Sequence, residues 1–173
     1  MHASANDRTL VQRTLAGDTL AAGELAERHI DRAWRAAYAI TGRVDTADDA
    51  LQDGFERAFG ALDTFDLDRP FAPWLNRIVV NRALSLVARD PRTIELDPDL
   101  HAVDDLRMES ARELMDALAA LDPDRRTVVV LRSILGFTPD EAASVLGVPV
   151  GTVHSRLHRA MVDLRRALEV PTR

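Results

Sequence analysis

Apolar side chains recur through most of this chain at intervals of three and four residues, the spacing that places them on one face of an α-helix. The segment 19–42 is a long example, and Gly42 stands at the position where helices commonly end. Its apolar face consists of Ile30, Ala33, Trp34, Ala37 and Ile40. The segments 44–62 and 74–89 repeat the pattern, so residues 1–89 predict a bundle of helices.

Local signals indicate where these helices begin and where the pattern stops. Asp45 is the predicted N-cap of the helix in 44–62, and Pro73 is the predicted first residue of the helix after the loop 66–73. The Asp- and Pro-rich segment 90–108 breaks the periodicity and predicts a linker.

The helical pattern resumes from Met108. In "LDPDRRTVVVLRSILG", Asp122 is a predicted N-cap, Pro123 the first helical residue and Gly136 the end. The β-branched "TVVVL" by itself favours a strand, but the flanking caps and the helical surroundings favour a helix.

The stretch "GFTPDEAASVLGVPVGTVHSRLHRAM" predicts two helices joined by a tight turn. Thr138 and Glu141 form a capping-box pattern, Gly147 ends the first helix, and the second begins near Val150. The predicted buried face of the second helix is Val153, Leu157, Met161, Leu164 and Leu168. The opposite face carries Thr152, Ser155, Arg156 and Arg159. This is a helix-turn-helix pattern, whose second helix enters the DNA major groove. The spacing alone is equally compatible with a solvated face of an ordinary bundle.

Composition narrows the class of protein. The 173 residues include no Cys, and only 5% are aromatic, so the core must consist mainly of Ala, Leu and Val. No apolar run approaches the roughly 18 residues of a membrane span, and the N-terminus lacks a signal-peptide core. We therefore expect a cytoplasmic protein without membrane insertion.

Charge is distributed unevenly. Residues 1–89 have a net charge of −2, residues 90–124 of −8, and residues 125–173 of +4. The acidic total of −6 argues against a nucleic-acid binder with a basic surface all over, but it permits a local basic face.

Two segments, in order, resemble the RNA polymerase sigma factors of the extracytoplasmic-function (ECF) group. The segment 121–168, with its core "GVPVGTVHSRLHRA", resembles their C-terminal domain, and "DDALQDGFERAF" followed by "FDLDRPFAPWLNRIVVNRAL" resembles their N-terminal domain. The resemblance implies an all-α protein with two small helical domains, 1–89 and 109–173, joined by the acidic flexible linker 90–108. The linker would either thread the RNA-exit path of the polymerase or act as a plain tether.

The resemblance also implies partners: core RNA polymerase through its β′ clamp helices and β flap, promoter DNA as duplex and melted strand, and an anti-sigma factor where one exists. The residues implied in polymerase binding are Asp48, Asp49, Leu51, Gln52, Asp53, Phe55 and Glu56. Those implied at the −10 element are Arg69, Phe71, Arg77, Asn81, Arg82, Ser85 and Arg89. Those implied at the −35 element are Thr152, His154, Ser155, Arg156 and Arg159.

Local charge agrees with this assignment. Residues 45–68 have a net charge of −7 and residues 69–89 of +4. Arg77, Asn81, Ser85 and Arg89 lie four residues apart and so share one helical stripe. Trp74 is expected to pack in the core.

Three features depart from the family pattern. Ser85 stands where many members have an acid, Asp90 interrupts a basic run, and Gly54 lies within the docking helix. Val80, Leu84 and Val87 are expected to be exposed and to meet an anti-sigma factor or the polymerase.

Other classes of protein fit less well. His154 and His158 have the spacing of a zinc pair, but there is no adjacent Glu base and the neighbouring arginines repel a cation, so we expect no metal site. No cofactor or catalytic motif is present, and we expect no enzyme. A stand-alone helix-turn-helix regulator and a decoy that binds an anti-sigma factor without binding DNA remain as alternatives.

Overall fold

The computed structural model describes residues 3–89 and 108–169, and within these ranges the protein is all-α, as predicted. Its helices are α1 (Ala3–Leu15), α2 (Thr19–Thr41), α3 (Val44–Gly60), α4 (Phe71–Arg89), α5 (Met108–Ala119), α6 (Pro123–Val129), α7 (Pro139–Leu146) and α8 (Val150–Glu169). A 3-10 turn, Leu62–Thr64, follows α3, and a π turn, Val130–Ile134, continues α6. The predicted linker lies outside the described residues, except that its last residue, Met108, is the first residue of α5.

The N-terminal helices begin and end where polar groups satisfy the backbone. Asp18 caps α2 by accepting hydrogen bonds from the backbone N–H groups of Leu20 and Ala21, at 3.0 and 3.1 Å. Gly42 ends α2 in the left-handed conformation, with φ 71°, as its position predicted.

Two predicted helix starts are wrong. α3 begins at Val44 with Arg43 at the cap position, because only two residues separate it from α2. Asp45 therefore lies in the first turn, where its carboxylate pairs with the Arg43 guanidinium. α4 begins at Phe71, so Pro73 is its third residue, still within the first turn that tolerates proline.

α3 and α4 lie close together at Gly54. A Cβ atom at Gly54 would lie 2.8 Å from Val79 Cγ2 and 3.0 Å from Val79 Cα, too close for any other residue without movement of a helix. Gly54 thus permits the tight packing of α3 on α4, and Val79 is fully buried there.

The C-terminal half uses the predicted caps. Asp122 accepts from the Arg125 N–H at 3.0 Å, with Pro123 next to it. Thr138 and Glu141 form the reciprocal capping box at the start of α7, and Gly147 ends that helix with φ 64°. The segment 123–134 is helical, as the caps predicted, although its last turn has π rather than α geometry.

A buried arginine ties α5 to α6. Arg126 is 3% exposed. It donates to the backbone oxygens of Leu118, Ala119 and Leu121 at 2.9, 3.0 and 2.9 Å. Burial lowers the pKa of this guanidinium from its ordinary value. The cation therefore satisfies the carbonyl groups at the end of α5, which have no partner within the helix.

The two halves pack against each other through α2. Val128, Leu131 and Phe137 belong to the same continuous cluster of buried residues as the apolar face of α2. Arg32 of α2 donates from Nε and Nη2 to the carbonyl oxygen of Ile134, at 3.1 and 2.6 Å. The second half of the molecule is thus seated on the first at the π turn.

Candidate polymerase and nucleic-acid interfaces

The first turns of α8 present a polar surface to solvent. His154, Ser155 and Arg159 are exposed, and Thr152 is half-buried. The Ser155 hydroxyl donates to the Thr152 carbonyl oxygen at 3.0 Å, so its oxygen remains available as an acceptor. We refer to these residues, together with Arg156, as the −35 surface, after the role that the resemblance implies for them.

Arg156 differs from its neighbours on α8 because its side chain is paired with a residue of another helix. Its Nη2 contacts the Asp124 carboxylate at the start of α6, and its side chain is 26% exposed. Sequence reasoning missed Asp124, since 32 residues separate the two partners and only the packing of α6 on α8 brings them together.

The buried side of α8 only partly matches the prediction. Val153 and Leu164 are buried and Leu157 is half-buried, but Met161 is 44% and Leu168 49% exposed. Ala160, at 0% exposure, takes the central position between α8 and its supporting helices. Met161 is the next residue along the helix, so it is rotated by about 100° and reaches the edge of the contact.

The turn before α8 gives this surface access. Gly147 is left-handed, and a Cβ atom at Gly147 or at Gly151 would meet nothing within 4 Å. The backbone at the start of α8 is therefore open to solvent, where its N–H groups favour an anion such as a phosphate.

The stripe expected on α4 is present, but part of it is engaged. Asn81 and Arg89 are exposed and Ser85 is half-buried. Arg77 is exposed and donates from Nη2 to the Ser144 hydroxyl of α7, at 3.2 Å. Ser144 is a second residue that sequence reasoning missed. We refer to Arg77, Asn81, Ser85 and Arg89 as the −10 stripe.

The aromatic residues before and within the first turn of α4 support the loop from inside. Phe71 is 3% exposed, and its ring lies 5.5 Å from Phe65, 5.6 Å from Trp74 and 5.3 Å from His29. Phe71 therefore holds the loop in place and does not offer a face to a base. Trp74 packs in this cluster, as expected, although it remains half-buried.

The loop beside these rings forms one wall of a cleft. Arg69 is exposed and pairs with Asp66 at 3.4 Å. The cleft, of about 310 Å³, lies between Trp74 and Arg77 on one side and Phe137 and Glu141 of the C-terminal half on the other.

The residues expected to bind polymerase lie along α3. Asp48, Asp49, Gln52 and Glu56 are exposed, whereas Leu51, Asp53 and Phe55 are half-buried. Asp48 Oδ1 accepts from Trp34 Nε1 at 2.6 Å, and Gln52 Nε2 donates to Glu56 at 3.0 Å. The acidic side of α3 is therefore available to a partner.

Asp53 and Arg82 contact each other, although one is expected at the polymerase and the other at the −10 element. Arg82 Nε lies against Asp53 Oδ2 across the interface between α3 and α4. A hydrogen bond from Arg57 on the same helix, together with the charges of Arg57, Arg82 and Arg89, lowers the pKa of Asp53 below its ordinary value.

The apolar residues of α4 expected at the surface are mostly withdrawn. Val80 is 0% exposed, so its predicted exposure is wrong, and Leu84 and Val87 are half-buried. Val80 follows Val79 on the side of α4 that faces the other helices. No helix within the described residues is long and apolar enough to cross a membrane.

Comparisons with known proteins agree with this arrangement. The Sigma-70 region 2 family matches residues 25–93, and the Sigma-70, region 4 family matches residues 111–164. The ECF RNA polymerase sigma factor SigW of Bacillus subtilis is 30% identical, over 91% of this chain and 94% of SigW. The RNA polymerase sigma factor CnrH of Cupriavidus metallidurans is 34% identical, over 94% of each chain.

A solved structure supports the same relationship. The structure of CnrH in complex with the cytosolic domain of CnrY matches with a TM-score of 0.69 at 35% identity, covering 96% of this chain and 99% of CnrH. The chain thus belongs to the ECF sigma factors, which bind core RNA polymerase and direct transcription initiation at promoters.

Proposed function

We propose that this sigma factor divides promoter recognition between two domains, residues 1–89 for the −10 element and residues 109–173 for the −35 element. The single observation that carries the proposal is the presence of two separate polar stripes with exposed arginines, one on α4 and one on α8. Each stripe lies on a helix whose other side is buried. In this proposal the protein recognises the promoter and catalyses no reaction itself. RNA synthesis is catalysed by the polymerase, and both proteins act in the cytoplasm.

The −35 surface suits the major groove of duplex DNA. Arg159 and Arg156 can donate two hydrogen bonds to the O6 and N7 atoms of guanine or bind a phosphate. Thr152 and Ser155, in the first two turns, supply hydroxyl groups, and the open helix start supplies N–H groups for the DNA backbone. Arg156 must leave Asp124 to take part.

The −10 stripe suits a strand that has already separated. Arg77 and Arg89 are placed to bind phosphates, while Asn81 between them can pair with a base edge. An unstacked base needs a concave site, and the N-terminal wall of the cleft, with Arg69 and Trp74, is adjacent to the stripe and belongs to the same half of the molecule.

The acidic side of α3 suits docking on polymerase. Asp48, Asp49 and Glu56 give it negative charge, and the half-buried Leu51 and Phe55 supply an apolar edge next to it. We assign this surface to the β′ clamp helices and the C-terminal domain to the β flap.

The two domains must separate when they bind a promoter. Two elements centred near −10 and −35 are roughly 25 base pairs apart, which is about 85 Å of duplex at about 3.4 Å per base pair. In the structure Arg77 on α4 touches Ser144 on α7, within the helix-turn-helix. Both elements therefore cannot be occupied while this contact persists.

CnrH was solved with the cytosolic domain of CnrY bound. By analogy, a protein of the CnrY kind is a candidate regulator of this chain. Such a partner would inhibit the protein by stabilising the packed arrangement. In that arrangement Arg77 of the −10 stripe stays in contact with α7 and is not available to DNA.

Run-off transcription with core polymerase tests the proposal. Arg159→Ala should lower −35-dependent transcription about tenfold, in line with the 1–3 kcal/mol of a good base contact, and should have no further effect on a promoter whose −35 element is scrambled. Asn81→Ala should slow promoter opening while the affinity for a −35 duplex stays unchanged. The proposal fails if the unmodified protein with core polymerase yields no transcript from a genomic promoter library.

A further inference from the structure

Asp53 is held between two arginines on two helices. Its Oδ1 accepts from Arg57 Nε at 2.8 Å on α3, and its Oδ2 is in ion-pair contact with Arg82 Nε on α4. Both carboxylate oxygens are thus occupied within the protein, which leaves Asp53 poorly placed to bind a cation of the polymerase.

Arg82 is similarly withdrawn from DNA. Its side chain is 21% exposed, and Nε, the atom next to Asp53, is buried. The residues of the −10 stripe lie on a different side of α4 from Arg82, where they are exposed or half-buried. A phosphate could reach the end of the guanidinium, but it would compete with a carboxylate that is already in contact.

The pair lies next to a close contact between the same two helices. At Gly54, the residue after Asp53, α3 lies so near Val79 of α4 that there is no room for a Cβ atom. Val79 is three residues before Arg82, so it lies one helical turn away on the same side of α4. The apolar contact fixes the distance between the helices, and the ion pair is placed to fix their relative rotation and sliding.

We propose that Asp53 and Arg82 are a positioning pair, which couples the polymerase-docking helix to the −10 helix instead of contacting the two partners separately. The inference depends on the proposed roles of α3 and α4. Its consequence is that docking of α3 on polymerase sets the place of the −10 stripe relative to the DNA.

A double-mutant cycle in the full-length protein tests the coupling. Asp53→Asn, Arg82→Gln and the double variant are each compared for affinity to core polymerase and for the rate of promoter opening at saturating polymerase. Each single variant should slow opening about fivefold, and the double variant should be no slower than the worse single variant, because contacting partners are non-additive. The affinity for polymerase should change less than about twofold in all three, because α3 retains its exposed acidic side chains.

Two further variants control the cycle. Arg82→Lys keeps a cation that can pair with Asp53 and should retain most of the opening rate. Asp49→Asn removes an exposed carboxylate from the same helix, and its effects should multiply with those of Arg82→Gln, because the two side chains are not in contact.

Three outcomes would overturn the positioning pair. One is a double variant whose opening rate is reduced by the product of the reductions seen in Asp53→Asn and Arg82→Gln. Another is a loss of polymerase affinity that follows Asp53→Asn alone, since this would place Asp53 on the polymerase. The third is an equal decline of polymerase binding and opening with a lower unfolding midpoint, which would indicate a role in folding only. Failure of the proposed function is distinguishable, because it would appear as an Asn81→Ala holoenzyme that opens the promoter at the full rate.

Discussion

The two helices proposed to face DNA, α4 and α8, differ in how much of their polar surface the protein itself occupies. On α8 one expected contact residue, Arg156, is paired with another part of the chain, and His154, Ser155 and Arg159 are exposed. On α4, Arg77 is hydrogen-bonded to α7, and Arg82 is in ion-pair contact with α3. Under the proposed roles, the −35 surface is therefore nearly free of contacts within the protein, whereas the −10 stripe and the neighbouring Arg82 have to be released first.

The difference follows from where each helix lies in the fold. α4 packs on α3 and α2 and also touches the helix-turn-helix, so its polar edges meet neighbours on several sides. α8 is the last described helix and packs on α5, α6 and α7 along one side, which leaves the other side open. The contrast can be tested by disturbing what holds each helix in place.

The largest effect on stability is expected from the buried Arg126, which joins α5 to α6, the helices on which α8 packs. Arg126→Ala removes the arginine donor from three carbonyl oxygens, of which only that of Leu118 keeps a second donor within the described residues, the Leu121 N–H. It should lower the free energy of unfolding of the C-terminal half by about 3 kcal/mol. Denaturant titration followed by far-UV circular dichroism measures it. The neighbouring Arg125→Ala removes half-exposed ion pairs and should lose less than about 1 kcal/mol. Equal losses in the two variants would contradict the role of Arg126.

The second effect concerns the packing that holds α4. Gly54→Ala should lower the free energy of unfolding of the N-terminal half by about 2 kcal/mol, because the added methyl group collides with Val79. Gly23→Ala, an exposed position in α2 with nothing within 4 Å of the new methyl group, should instead stabilise by up to about 1 kcal/mol. Opposite signs in the same denaturant titration confirm the close approach, and stabilisation by both would exclude it.

A smaller effect is expected where α8 is restrained. Asp124→Asn releases Arg156 and should tighten binding of a −35 duplex by about two- to fivefold, with a steeper dependence on salt. Fluorescence anisotropy of the full-length protein at several salt concentrations measures both quantities. Asp49→Asn removes the same charge from the N-terminal domain and serves as the matched control. If the two variants bind equally well, the Asp124 contact does not restrain Arg156.

The smallest effect is a pH dependence of stability that comes from His29, which packs against the first residue of α4. His29 packs against Phe71 and binds Asp7 at 3.1 Å, and burial lowers the pKa of the imidazole despite the nearby carboxylate. The unfolded chain, with an ordinary pKa of about 6.5, then takes up the proton first, so stability should fall as the pH drops below about 6.5. The expected loss is at most about 1 kcal/mol between pH 7 and pH 5.5.

Replacement of His29 provides the check on this pH dependence. His29→Gln should flatten the profile of unfolding midpoint against pH, whereas the exposed His158→Gln should leave it unchanged. An unaltered slope in His29→Gln would assign the effect to other groups. Asp53 and Asp18, whose pKa values are lowered, lose their contribution only at more acidic pH, outside this window.

The sequence predicted the elements better than their contacts. The helices, the capping box at Thr138 and the left-handed Gly42 depend on neighbours within a few residues, so local patterns were sufficient. The start of α3 was misplaced because the two-residue connection to α2, and not an acidic cap, determines where α3 begins.

For the candidate sites, the sequence predicted which residues share one side of a helix, but not which residues of other helices they contact. Spacing placed Asn81 and Arg89 on one stripe and Ser155 and Arg159 on another. It could not show that Arg82 meets Asp53, that Arg77 meets Ser144, or that Phe71 is enclosed by other rings, because these contacts join residues that are distant in sequence. For the same reason the sequence showed Gly54 only as a departure from the family pattern, whereas the structure shows that a Cβ atom there would collide with Val79.

The π turn at Val130–Ile134 has a consequence for chain length. The Leu135 N–H bonds to the Val130 carbonyl oxygen five residues back, at 2.9 Å, so the turn contains one residue more than an α-helical turn. Deleting the exposed Ser133 would convert this turn to regular α geometry, and the segments after it would keep about the same rotation around the helix axis, because the wide turn already absorbs the extra residue. The same deletion in a regular α-helical turn would rotate everything after it by about 100°. Loss of a single codon is thus tolerated by the orientation of the helix-turn-helix in this turn, but not in the α-helical turns that precede it.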